Sequence, residues 1–204
     1  MPDPSRTVDS LLDAFASNHP VPGGGSAAAL AGAVGTSLLI MVAGLPKTRT
    51  GAQSERNSLD AAAVRLRPLR VTLTDLIDRD SDAYAGVVAA YRLPKGTAAD
   101  QAARRRAIEE AIRAATETPL ETMRACQQAL AEAVIVAGAG AKSASSDAGV
   151  AIELLGAALR GAALNVDTNI GSLTDRAVAE RMRQERQALE RLGAADAART
   201  RALL

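Results

Sequence analysis

From Pro20 to Leu45 the chain reads P-V-P-G-G-G-S-A-A-A-L-A-G-A-V-G-T-S-L-L-I-M-V-A-G-L. Pro20 and Pro22, with Gly23, Gly24 and Gly25, stop the segment before them. After Ser26 no charged residue occurs until Lys47. Ser26 suits an N-cap, where a hydroxyl satisfies one of the free N–H groups of a first helical turn. The glycines let the backbone come close to a ligand. The stretch therefore reads as a loop feeding a helix N-terminus, a favourable place for an anion. Ala28, Gly32, Gly35 and Thr36 recur at helical spacing, so a neighbouring helix backbone can approach closely.

Three structures compete for this stretch. A phosphate-binding P-loop needs Gly-Lys-Ser/Thr, and here Ala27-Ala28 follow Ser26. A membrane span needs roughly 20 apolar residues, which the stretch has. It is rich in Ala and Gly rather than Leu, however, and no basic anchor lies between Arg6 and Lys47. The reading adopted is a helix buried all round, within a helical protein or at its dimer interface.

The rest of the chain agrees with a helical protein. Its 204 residues are enough for one domain with a sizeable core. Aromatic residues make up 1% and β-branched residues rarely alternate, which predicts an all-α fold. A net charge of +1 leaves no nucleic-acid footprint. Cys126 is the one cysteine, so no internal disulfide forms and a reducing compartment fits. The start, M-P-D-P-S-R, has no apolar signal core, and a cytoplasmic protein is expected.

Val8, Leu11, Leu12 and Phe15 predict a short amphipathic helix over 7–18. His19 is the sole histidine, and nothing near it suggests a catalytic partner. Pro46 ends the central helix, and Lys47 and Arg49 read as solvated. A long helical pattern from Ser54 to about Tyr91 contains Pro68, expected to kink or break it. A helix over 98–117 follows, then another to about Ala137 with Pro119 at N1 behind Thr118. A loop is expected over 138–146. From Thr174 onward acidic and arginine residues alternate along a solvated helix.

The tract D-R-D-S-D, residues 78–82, mimics a calcium loop, but Ala83 and Ala89 stand where that loop needs Gly and Glu. On a helix at about 100° per residue, Asp78 and Asp82 share the polar side. Asp80 falls on the apolar stripe between Ile77 and Tyr84. A carboxylate there either takes a higher pKa or pairs with a cation.

Several of these segments resemble one family. Pro22-Gly23-Gly24-Gly25-Ser26 with A-A-L-A-G-A-V-G, L-I-D-R-D-S-D-A-Y around Asp80, L-P-K at 93–95, T-P-L-E-T from Thr118, and S-D-A-G-V-A with A-A-L-N-V-D-T-N over 146–169 are similar to the cyclodeaminase/cyclohydrolase family. That family includes bacterial methenyltetrahydrofolate cyclohydrolases and the cyclodeaminase half of formiminotransferase-cyclodeaminase. Its basic loop, approximately N-L-T-x-G-K-K-K-Y, survives here only as Leu45 and Lys47 or Arg49.

The resemblance implies hydrolysis of 5,10-methenyltetrahydrofolate to 10-formyltetrahydrofolate. The alternatives are a 5-formiminotetrahydrofolate cyclodeaminase releasing ammonia and a folate-binding dimer whose site has decayed. It implies Asp80 as the catalytic carboxylate and Lys47 as its lysine. Pro22, Gly23, Gly24, Gly25, Ser26, Tyr84, Asp147 and Asn165 are implied in substrate binding. No metal, and no cofactor beyond the tetrahydrofolate substrate, is implied. Asp147 and Asn165 share a helix face but lie about 27 Å apart along it, so they line a long groove or serve two sites of a dimer. The expected architecture is an up-and-down bundle of about seven helices, a homodimer without nucleic-acid or membrane partners.

Overall fold

The computed structural model describes residues 7–204, so the M-P-D-P-S-R start lies outside the described residues. The described residues form six α-helices in succession: α1 (Val8–Ala16), α2 (Gly24–Gly44), α3 (Gln53–Tyr91), α4 (Ala98–Ala139), α5 (Ser145–Ile170) and α6 (Arg176–Arg201). A single 3₁₀ turn, Lys142–Ala144, leads into α5. The described residues contain no strand beyond an isolated bridge between Thr48 and Gly140.

Helix α2 is the centre of the bundle, packed against α3, α4 and α5. Its small residues are what permit this. A Cβ on Gly32 would meet Cys126 Sγ of α4 at 2.8 Å, and one on Gly35 would meet the Ala151 carbonyl of α5 at 2.9 Å. Burial among these helices pushes the Cys126 thiol up to about 12. The helix is not buried all round, however. Ala27, Val34 and Met41 lie exposed on one stripe. Both α2 and the 142–170 segment are long and apolar enough to cross a membrane, yet about half of each is buried inside the bundle.

The helix count corrects the expectation. Pro119 does not begin a helix; α4 runs through it unbroken, and two expected helices are one. Thr118 is not its cap, for its hydroxyl donates back to the Ala114 carbonyl. Pro68 likewise leaves α3 continuous. Proline already has a helical φ, but its ring crowds the carbonyl four residues back and its missing N–H leaves that carbonyl without a partner. In α4 that partner comes from outside. Asn169 Nδ2 on α5 donates to the Ala115 carbonyl at 2.9 Å, the carbonyl that residue 119 would otherwise serve. The expected loop over 138–146 shrinks too, since α4 continues to Ala139.

Caps set the remaining boundaries. Thr7 and Ser10 form a capping box on α1, and Thr97 and Asp100 form one on α4. Asp175 caps α6 through the N–H groups of Ala177 and Val178. The charged helix α6 is tied to α4 by Arg124, which pairs with Glu117 and Glu185. Arg56 closes the other end of α2 by donating to the carbonyls of Ala43 and Leu45 at 2.9 and 2.7 Å.

Candidate active site

The N-terminus of α2 is capped from another helix. Gly23 holds the N-cap position and offers no side chain, and Ser26 lies inside the first turn. Ser26 is therefore not the N-cap that its residue type suggested. Its backbone N–H donates to Asp80 Oδ2 at 2.9 Å, and its hydroxyl lies 3.1 Å from the same oxygen. The hydroxyl also lies 2.8 Å from the Ile77 carbonyl and 3.5 Å from Ser81 Oγ. Asp80 of α3 thus serves the free N–H end of α2, where the helix dipole favours a negative charge.

Only a glycine admits this carboxylate. A Cβ on Gly25 would fall 2.0 Å from Asp80 Oδ1 and 2.5 Å from its Cγ. The second glycine opens toward α5, since a Cβ on Gly24 would approach Asn165 Nδ2 at 3.8 Å. Gly23, Gly24, Gly25, Ser26, Asp80 and Asn165 therefore converge at one end of the bundle. Asn165 Nδ2 itself donates to the Gly161 carbonyl. Pro22 precedes this cluster, and Tyr84, 44% exposed, follows Asp80 by about one turn of α3.

Among the described residues no arginine pairs with Asp80. The adjacent Arg79 turns away to Glu121 of α4, at 2.6 and 2.9 Å. Burial raises the Asp80 pKa, and the two donors from Ser26 oppose that shift without cancelling it. The result is a half-buried carboxylate with raised proton affinity at a helix N-terminus, suited to taking up and releasing a proton.

The other expected residues lie elsewhere. Lys47 is exposed in the loop after α2, separated from Asp80 by nearly the whole of α2, about 30 Å of helix. Asp147 opens α5 at that same far end, because α2 and α5 run antiparallel. Within one chain, neither reaches Asp80.

The loop around Lys47 is ordered by its own contacts. Thr48 and Thr50 donate to Glu55 and hold its carboxyl at about 2. Arg49 is not simply solvated; it donates to the carbonyls of Ala137 and Leu203. A surface hollow of about 730 Å³ lies here, lined by residues 46–53 and Arg56. It is remote from Asp80, and by chemistry the Asp80 end is the stronger candidate for catalysis. Among the described residues no three His, Cys, Asp or Glu side chains gather as a metal would require.

The family model described as formiminotransferase-cyclodeaminase matches residues 7–188. The chain belongs to the formiminotransferase-cyclodeaminase family. Within it, the chain is 41% identical to a methenyltetrahydrofolate cyclohydrolase of Methylorubrum extorquens, over 91% of this chain and 89% of that protein. It is 32% identical to the formimidoyltransferase-cyclodeaminase of Rattus norvegicus over 86% of this chain, which spans 33% of the rat protein. The family fold is seen in a formiminotetrahydrofolate cyclodeaminase of Thermotoga maritima, with TM-score 0.87, 22% identity, and coverage of 98% of this chain and 96% of that one.

Two contributions escaped sequence reading. Arg56 carried no signal beyond its charge. The role of Gly25 was hidden in a run of three glycines, of which only one faces a carboxylate within van der Waals distance.

Proposed function

We propose that this chain is an enzyme that hydrolyses 5,10-methenyltetrahydrofolate to 10-formyltetrahydrofolate. The observation carrying this reading is the 41% identity, along nearly the full length of both chains, with a protein of that activity. The chemistry of Asp80 is compatible with it. Water adds to the cationic carbon between N5 and N10; the C–O bond forms and one C–N π pair returns to nitrogen. The carboxylate of Asp80 takes the proton lost by that water. The C–N5 bond then breaks, Asp80 returns its proton to N5, and the formyl group remains on N10. The adduct's hydroxyl proton passes to solvent, so the cation and water become a neutral product and a proton. A half-buried carboxylate also opposes the substrate's positive charge. No cofactor enters beyond the folate.

The reading includes a homodimer. Ala27, Val34 and Met41 on α2 and Val150, Ala157 and Leu164 on α5 are exposed and repeat at heptad spacing. Val34, Met41, Val150 and Leu164 are each at least 40% exposed, an apolar stripe of the kind that marks an interface. Pairing about a twofold axis perpendicular to these helices sets the two copies antiparallel. Each Asp80 end then meets the Lys47 end of the other copy, where Lys47 orients the water or supplies a proton. Tyr84, Asn165 and the 22–26 segment at the start of α2 bind the folate from one copy, and Asp147 from the other.

A second reading, ring closure of 5-formiminotetrahydrofolate with loss of ammonia, draws on the identity with the rat protein and uses the same carboxylate. The test follows the absorbance of 5,10-methenyltetrahydrofolate where its spontaneous hydrolysis is slow. Wild type accelerates its loss, and Asp80→Asn binds folate without turnover. An Asp80→Asn variant as active as wild type overturns the assignment of Asp80. Absence of turnover in wild type, with ammonia released from the formimino substrate, selects the second reading. Folate binding with neither reaction selects the decayed dimer.

A further inference from the structure

Ser26 has one hydroxyl proton and two near acceptors, with Ser81 Oγ farther off at 3.5 Å. Ser26 Oγ lies 2.8 Å from the Ile77 carbonyl and 3.1 Å from Asp80 Oδ2. It is fully buried, so no water competes for that proton. We propose that Ser26 is a positioning residue that serves both protonation states of Asp80. Toward the carboxylate, the hydroxyl donates to Oδ2 alongside the backbone N–H. Toward the acid, the hydroxyl rotates, gives its proton to the Ile77 carbonyl and accepts Oδ2–H. No heavy atom needs to move, because one oxygen is both donor and acceptor.

This inference rests on Asp80 being the group that carries the proton in the proposed hydrolysis. It also reassigns the helix N-terminus. That end of α2 does not wait for an anionic part of the substrate, because the enzyme's own carboxylate occupies it. The remaining oxygen, Oδ1, lies against Gly25, where any side chain would collide with it. Oδ2 is thus the oxygen that Ser26 holds and that carries the proton in the acid.

The charges around Asp80 leave Ser26 as its main polar contact. Helix α2 carries no ionisable side chain. Glu121 of α4 is engaged by Arg79, and Glu117 of α4 by Arg124. On α5 the residue at this end is the uncharged Asn165, with Asp167 beyond it bound to Arg186. On α3 itself Asp78, Asp82 and Tyr84 are the remaining ionisable neighbours.

The deciding experiment titrates the side-chain carboxyl carbon of Asp80 by NMR in protein labelled at aspartate, with Asp80→Asn locating the signal. A hydrogen bond to an ionised acceptor is stronger than one between neutral groups. Ser26→Ala, which removes the hydroxyl and keeps the N–H, therefore moves the Asp80 midpoint to higher pH. Ser26→Thr, which restores a hydroxyl, returns it toward wild type. An unchanged midpoint in Ser26→Ala overturns the proposal, as does a Ser26→Thr variant that folds and shifts as far as Ser26→Ala.

The kinetic readout is separate. The low-pH limb of kcat moves upward in Ser26→Ala, kcat near neutrality falls about tenfold, and KM stays within about twofold. A fall confined to KM contradicts a role exerted through Asp80. The NMR titration needs no turnover, so a wild-type protein without cyclohydrolase activity refutes the functional reading and still leaves the Ser26 pairing decided.

Discussion

Asn169, on α5, makes the hydrogen bond to α4 that Pro119 cannot make. Pro119 lacks the N–H that would reach the Ala115 carbonyl, and Asn169 Nδ2 supplies a donor at 2.9 Å. The bond closes the gap in α4 and fastens α5 to it at the same point.

Removing that donor strands a carbonyl inside a helix pair. Asn169→Ala is expected to lose about 1 kcal/mol of stability, near the usual worth of such a bond. In Pro119→Ala the chain regains its own N–H, and there the Asn169→Ala change costs much less. Urea unfolding of the four proteins measures this, because a double-mutant cycle isolates the coupling. Equal losses in both backgrounds would refute the pairing.

Gly25→Ala tests the close approach at the other end. Its Cβ falls 2.0 Å from Asp80 Oδ1, so the carboxylate must leave the end of α2. Far-UV circular dichroism should remain helical while kcat drops at least about a hundredfold, the penalty of displacing a reacting group by about 1 Å. A variant with wild-type turnover would remove Asp80 from the mechanism or show that the helix end yields.

Stability should depend on pH through the same carboxyl. Its folded pKa is raised by burial, so between the unfolded and folded values the native state holds the extra proton. The contribution to stability is full below the unfolded pKa and is lost as pH rises through the folded one. Asp80→Asn cannot titrate. Its stability relative to wild type should therefore increase as pH rises across that window, measured by urea unfolding in a series of buffers. A constant difference would contradict a raised pKa.

The local patterns in the sequence read correctly where the cause was local. The apolar stripe through Ile77, Asp80 and Tyr84 placed Asp80 at the edge of the core, and there it lies. The spacing of Gly32 and Gly35 announced close helix packing, which Cys126 and Ala151 supply. Failures arose where the partner was distant in the chain. Pro119 resembles a helix start because its missing donor is visible and its replacement on Asn169 is not. Ser26 resembles a cap because its preference is local, while its acceptor sits on another helix. Lys47 and Asp80 were grouped through resemblance alone; the length of α2 separates them within a single chain.

That length has a genetic corollary under the proposed antiparallel pairing. A subunit with Asp80→Asn keeps a sound Lys47 end, and a subunit with Lys47→Ala keeps a sound Asp80 end. Each is inactive when paired with itself. A mixed pair assembles one centre from the two sound ends and one from the two damaged ends. Two inactive proteins, unfolded together and refolded, should thus recover roughly a quarter of wild-type activity when the pairs form at random, half of them mixed with one working centre of two. The defect would then belong to the pair rather than to the polypeptide, and two lesions would complement within one gene.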